Sequence, residues 1–61
     1  MYTTITDART ALDNSVVGEW FYHAWFDGDD DAFVEKMAEV CEYMWRNDKT
    51  ALEAAEHFEV D

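Results

Sequence analysis

Proline is absent from this chain, glycine occurs twice, cysteine once, and lysine and arginine together only four times. Without proline no backbone donor is missing and no φ is locked, so nothing of that kind interrupts a helix or a strand. A single cysteine, Cys41, excludes an internal disulfide and suits a reducing, intracellular setting. No apolar run approaches the roughly 18 residues that a membrane span needs. Met1 is not followed by a basic stretch and an apolar segment, so no signal peptide is expected.

The shortage of cations has the largest consequence. Fifteen aspartates and glutamates against four lysines and arginines leave a formal charge of -11 on 61 residues. One small domain, residues 1–61, must carry that charge, and a chain of this size buries only about 60% of the surface it exposes when unfolded. Self-repulsion therefore weighs heavily on a small core. A mixture of signs would serve solubility equally well, so the imbalance needs a reason outside the fold. A cationic protein partner is one reason and hydration in very high salt is another. The same charge repels anionic membranes and naked nucleic acid, so direct binding to either is not expected.

What is present argues for a folded domain. Hydrophobic residues make up 49% of the chain and aromatic ones 16%, which excludes a disordered acidic tail. Three tryptophans, Trp20, Trp25 and Trp45, exceed what a small core requires. One or two of them are therefore candidates for exposed interface anchors, with a homodimer as their simplest use.

The expected fold is all-α, a compact bundle of three or four short helices with room for a short N-terminal strand. Tyr2 to Ile5 favours β structure, as a frayed end or an edge strand. Thr6 or Asp7 can cap a first helix, with Ala8, Ala11 and Leu12 on one face. The Asp13-Asn14-Ser15 cluster interrupts this element or caps the next. Val16 to Phe26 reads as a helix by the spacing of Val16, Val17, Trp20, Phe21, Ala24 and Trp25. Its residue types also suit a strand, and Gly18 costs a helix about 1 kcal/mol relative to alanine. Asp27 to Asp31 is a break in which Gly28 supplies a positive φ and Asp29 or Asp30 caps the next helix.

The clearest helix runs from about Asp31 to Arg46, with Phe33, Val34, Met37, Val40, Cys41, Met44 and Trp45 as its apolar stripe. A last helix is expected from about Lys49 to Phe58, with Ala51, Leu52, Ala55 and Phe58 inward.

The acids cluster. Asp27, Asp29, Asp30 and Asp31 fill the break, Glu35, Glu39 and Glu42 share one face of the long helix, and Glu53 and Glu56 belong to the last helix. These nine are the candidate partner-binding residues. Calcium is disfavoured: counting an EF-hand loop from Asp27 puts Ala32 where glycine belongs and Ala38 where the bidentate glutamate belongs. His23, Cys41 and His57 match no zinc spacing. No phosphate loop or nucleophile elbow occurs, and a bundle of this size is expected to leave little room for a cleft of several hundred Å³. No catalytic residue, metal or cofactor is assigned.

Two local resemblances accompany this reading. Residues Ala54 to Asp61 resemble the opening of a helix-turn-helix, with Ala55, Val60 and Asp61 matching and Glu59 standing where the turn glycine belongs. The sequence ends there, so the resemblance implies a scaffold without its recognition helix, or a truncated one, that acts by dimerising. Gly18-Glu19-Trp20 followed by Asp29 to Glu35 resembles the Gly-x-Trp segment and acidic helix of ArdA-type antirestriction proteins, which are DNA mimics.

In size and charge the chain is similar to small acidic inhibitors of phages and mobile elements, among them anti-CRISPR proteins and uracil-DNA glycosylase inhibitors. These resemblances imply a non-enzymatic inhibitor acting in the cytoplasm of a host cell. It would bind a cationic DNA- or RNA-binding protein, such as a nuclease or defence complex, through an acidic, DNA-mimicking face. The alternative from another class is a structural or assembly homo-oligomer with a halophile-type acidic surface.

Overall fold

The computed structural model of the chain describes residues 1–60. Among these residues there are four α-helices and no strand: α1 (Ile5–Asp13), α2 (Val16–Trp25), α3 (Asp30–Asn47) and α4 (Ala51–His57). The all-α bundle expected from the sequence is the observed fold.

Each helix begins where a short polar side chain can accept from an orphan backbone N–H. Thr4 caps α1: its Oγ1 accepts from the Asp7 N–H at 3.3 Å, and the Asp7 carboxylate accepts from the Thr4 N–H at 3.2 Å. This reciprocal pair corrects the expectation that Thr6 or Asp7 is the cap. It also draws Ile5 into the helix, so the β-favouring residues at the N-terminus form no strand. Ser15 caps α2, accepting from the Val17 N–H at 3.1 Å. Asp29 caps α3, accepting from the Ala32 N–H at 3.2 Å. Thr50 and Glu53 form a second reciprocal cap on α4, which starts at Ala51 rather than Lys49.

Two of the ends are left-handed. Asp48 closes α3 at φ 52, and the Lys49 N–H donates to the Met44 carbonyl at 3.0 Å. Glu59 follows α4 at φ 59, and the Val60 N–H donates to the Ala55 carbonyl at 2.8 Å. That double turn is the Schellman arrangement, which glycine usually occupies. Glu59 therefore takes the conformation of the glycine that a helix-turn-helix would place there. Asp61, the other end of that resemblance, lies outside the described residues.

Phe21, Leu12, Met44 and Val40 are fully buried and form the centre of the core with Ala8, Val17, Cys41, Ala51, Ala54, Ala55 and Val60. Burying a side chain of the larger kinds contributes about 1.5–3 kcal/mol each. The segment read as a helix, with a strand as its alternative, is helix α2, with Val17 and Phe21 inward. Phe21 meets Trp25 edge-on at 4.8 Å, and Trp25 meets Phe58 at 5.7 Å, so aromatic edges join α2 to the end of α4.

Five inward expectations are corrected: Ala24 and Trp45, placed on the apolar faces of α2 and α3, are exposed, and so are three others. Val16 is 60% exposed, Val34 53% and Leu52 51%, while Ala54 takes the place expected for Leu52. A seven-residue helix lies against the core through small residues, and Ala51, Ala54 and Ala55 let it approach closely.

Candidate acidic binding face

α3 sets the geometry of the acids. Its buried side is Val40, Cys41 and Met44. At 3.6 residues per turn, Asp31, Glu35, Glu39 and Glu42 fall within an arc of about 80° on the opposite side. Those residues are exposed, and from Asp31 to Glu42 they rise by about 16 Å along the axis. The molecule measures 32 × 21 × 17 Å, so the row covers about half of its longest dimension. Asp27 and Asp29 carry the negative charge on into the α2–α3 loop, and Asp30 adds to it in the first turn about 100° round the helix from Asp31, where the positive end of the helix dipole favours carboxylates.

Not all nine carboxylates are equally available. Asp27 accepts from the Asp29 N–H at 3.3 Å and holds the loop, and Asp29 is committed to its cap. Glu42 accepts from the Arg46 Nε at 2.7 Å, which offsets the charge at the C-terminal end of the row. Among the described residues Asp30, Asp31, Glu35 and Glu39 have no such partner. The strongest negative field therefore belongs to the loop-proximal half of α3. The remaining cations are similarly accounted for. Arg9 lies 3.8 Å from Asp13, Lys49 lies 3.8 Å from Glu53, and Lys36 sits over the Trp25 ring at 5.8 Å.

Glu53 and Glu56 do not extend the row as a uniform second rank. They share a shallow cleft with Tyr43, Lys49 and His57. Tyr43 and His57 stack there with ring centroids 4.1 Å apart. Glu53 is held by the Thr50 N–H at 3.1 Å, and this backbone hydrogen bond, with Lys49 nearby, lowers its pKa below the ordinary value. The cleft therefore mixes signs, unlike the face of α3.

The aspartate loop is organised by its own backbone N–H groups. Among the described residues no three histidine, cysteine or carboxylate side chains converge as metal ligands would. Trp45 is 39% exposed beside Arg46, whose guanidinium lies 6.0 Å from its ring. Among the described residues no helix is long and apolar enough to cross a membrane.

A groove of about 400 Å³ opens between α1, α2 and α3, where a bundle of this size was expected to have little room. Small residues make the space: Gly18, Ala38 and Cys41 line it beside Leu12, Phe33 and Met37. Ile5, Tyr22 and Val34 stand at it as exposed apolar side chains. The signal for it was Val34, an apolar residue at the edge of the α3 stripe nearest the acids. Cys41 is buried at this groove, and burial, with Asp13 nearby, pushes its thiol pKa up, so it is a weak nucleophile. The chain matches no family model, no curated protein and no solved structure.

Proposed function

We propose that this chain is a non-enzymatic inhibitor that binds a cationic nucleic-acid-handling protein through the acidic face of α3, in the manner of antirestriction and anti-CRISPR proteins. The observation that carries the reading is the row Asp31, Glu35, Glu39 and Glu42, set on a rigid helix opposite its buried side. Successive carboxylates rise by about 4.5–6 Å. Phosphates of one DNA strand advance by about 3.4 Å along the axis, and by more along the backbone. Four carboxylates thus span about five phosphate steps. A channel shaped for a polyanion would meet fixed charge there, and electrostatic steering would speed the encounter.

The test is retention of a DNA- or RNA-binding protein from a lysate by the immobilised chain, followed by competition with duplex DNA. Duplex DNA and added salt should both release the partner. The triple variant Glu35→Lys, Glu39→Lys and Glu42→Lys should fold and fail to retain it. Retention that DNA does not compete for sinks the mimicry.

A second reading, a homo-oligomer with a halophile-type surface, draws on Val16, Leu52 and Trp45, whose apolar side chains are exposed outside the groove. It requires molar salt for folding, because screening relieves the repulsion. Circular dichroism across salt separates the two, since a chain fully folded at about 0.1 M salt has no need of halophily.

A further inference from the structure

The groove between α1, α2 and α3 lies directly beside the acidic row. Along α3, Val34, Met37 and Cys41 line it, and Asp30, one turn before Val34, stands in line with them. Ala38, also at the groove, is flanked on the helix surface by Glu35 and Glu42, three residues before it and four after. Glu19 of α2 stands on the opposite rim, and the Arg9–Asp13 pair closes the α1 side with no net charge. The groove is therefore apolar within and acidic at its end and along two edges.

Its length is also informative. Val34 to Cys41 on α3 and Ile5 to Leu12 on α1 are each seven residue steps apart, about 10.5 Å. Apolar residues at i, i+3, i+4 and i+7 of an incoming helix cover the same distance, which is the pattern of helix-in-groove recognition. A second copy of this chain does not suit the site, because each copy carries a charge of -11 and the two repel.

We propose that this groove takes the apolar side of a cationic amphipathic helix presented by a protein partner, whose basic residues meet Asp30, Asp31, Glu35 and Glu19. This rests on the acidic-face reading and adds to it the element of the partner that is gripped. Charge gives the encounter its speed, and the groove gives the complex its lifetime.

The probe is a synthetic helix of about 14 residues, near the length at which isolated helices begin to hold. It carries leucine at the i, i+3, i+4 and i+7 positions and lysine elsewhere. A second peptide of equal charge replaces the leucines with glutamine, and a third keeps the leucines but replaces the lysines with glutamine. Binding of each to the full chain is measured by calorimetry at low and raised salt.

The leucine–lysine peptide should bind at least about tenfold more tightly than the glutamine–lysine one, the loss expected when buried anchors are removed. Val34→Glu should abolish that difference. Val16→Glu, which adds the same charge at an exposed site outside the groove, should preserve it. The sign is decisive, because electrostatics alone make Val34→Glu bind a cationic peptide as tightly as the native chain, or more so.

Equal affinity for the two cationic peptides overturns the groove and leaves the acidic face standing. Tight binding of the uncharged leucine peptide overturns the acidic contribution, and binding of none overturns both. Dimerisation of the chain at low salt that Val34→Glu reverses makes a second copy the occupant and overturns the proposal. Should Val34→Glu fail to fold, methyl NMR of the native chain decides. Shifts at Val34, Met37 and Leu12 on titration support the groove, and shifts confined to acidic residues overturn it.

Discussion

The Tyr2 hydroxyl donates to the Lys49 carbonyl at 2.9 Å, tying the second residue to the turn between α3 and α4. The N-terminal ammonium lies 3.4 Å from Asp48 in the same turn. The two links fasten a segment that would otherwise fray, and they do so beside the left-handed Asp48. Tyr2→Phe keeps the ring and removes the hydrogen bond, so it should lower stability by about 1 kcal/mol. Burial, with Asp48 and Glu53 nearby, raises the Tyr2 pKa above its ordinary 10.0. A raised folded pKa gives stability that is complete below the unfolded value and lost as pH climbs through the folded one. Urea titrations of the two proteins should therefore differ at neutral pH and converge at strongly alkaline pH. Equal stabilities at neutral pH would show that the hydroxyl contributes nothing.

Gly18 sits where its helix meets the end of the previous one. A methyl group added there would lie 2.9 Å from the Leu12 carbonyl oxygen, which is backbone and cannot turn aside. Gly18→Ala gains about 1 kcal/mol of helix propensity. It must also force α1 and α2 apart, at the cost typical of overpacking, about 1–3 kcal/mol. A net loss of stability in thermal unfolding is expected, and net stabilisation would show that the junction can open freely.

These two positions show which parts of the structure the sequence discloses. The long helix, the aspartate break and the face shared by Glu35, Glu39 and Glu42 are local: period, capping and charge appear within a few neighbouring residues. Gly18 looks like a defect in a helix until Leu12 of another helix is placed against it. Leu52 looks more inward than Ala54 because hydrophobicity ranks leucine higher, yet the close approach of α4 selects the smaller side chain. Thr4 does not stand out as a cap because its neighbours favour β structure, and only the reciprocal bond with Asp7 outweighs them. The groove is a property of three helices together: Val34, at the edge of the α3 stripe, marks one wall of it, and the space itself appears only when α1 and α2 are set against that wall.

Glu59 holds a left-handed conformation at φ 59, which costs a residue with a Cβ about 1–2 kcal/mol. Glycine adopts it freely but loses more chain entropy on folding. Glu59→Gly should therefore stabilise the protein by a net of about 0.5–1 kcal/mol. Glu59→Gln removes the same charge without relieving the backbone, so it separates the two causes. Asp48→Gly, at φ 52, should gain less, because a short polar side chain tolerates this region better. Equal melting temperatures for Glu59→Gly and Glu59→Gln would exclude backbone relief as a source of stability.

Glu53 links pH to the stability of α4. Its carboxylate accepts from the Thr50 N–H at 3.1 Å, and Lys49 lies 3.8 Å away, so its pKa is depressed in the folded state. A depressed folded pKa gives stability that is present above the unfolded value and lost as pH falls through the folded one. Glu53→Gln keeps a side chain able to accept from Thr50 and removes only the charge. The variant should be less stable than the native chain at pH 7. The difference should close as pH drops below the ordinary carboxylate range. Acidification also relieves repulsion among the other acids, but both proteins share that effect and it cancels in the comparison. Urea titrations of the pair across the acid range measure the gap directly. A gap that stays constant with pH would mean that Glu53 acts through its shape and hydrogen bond alone, without its charge.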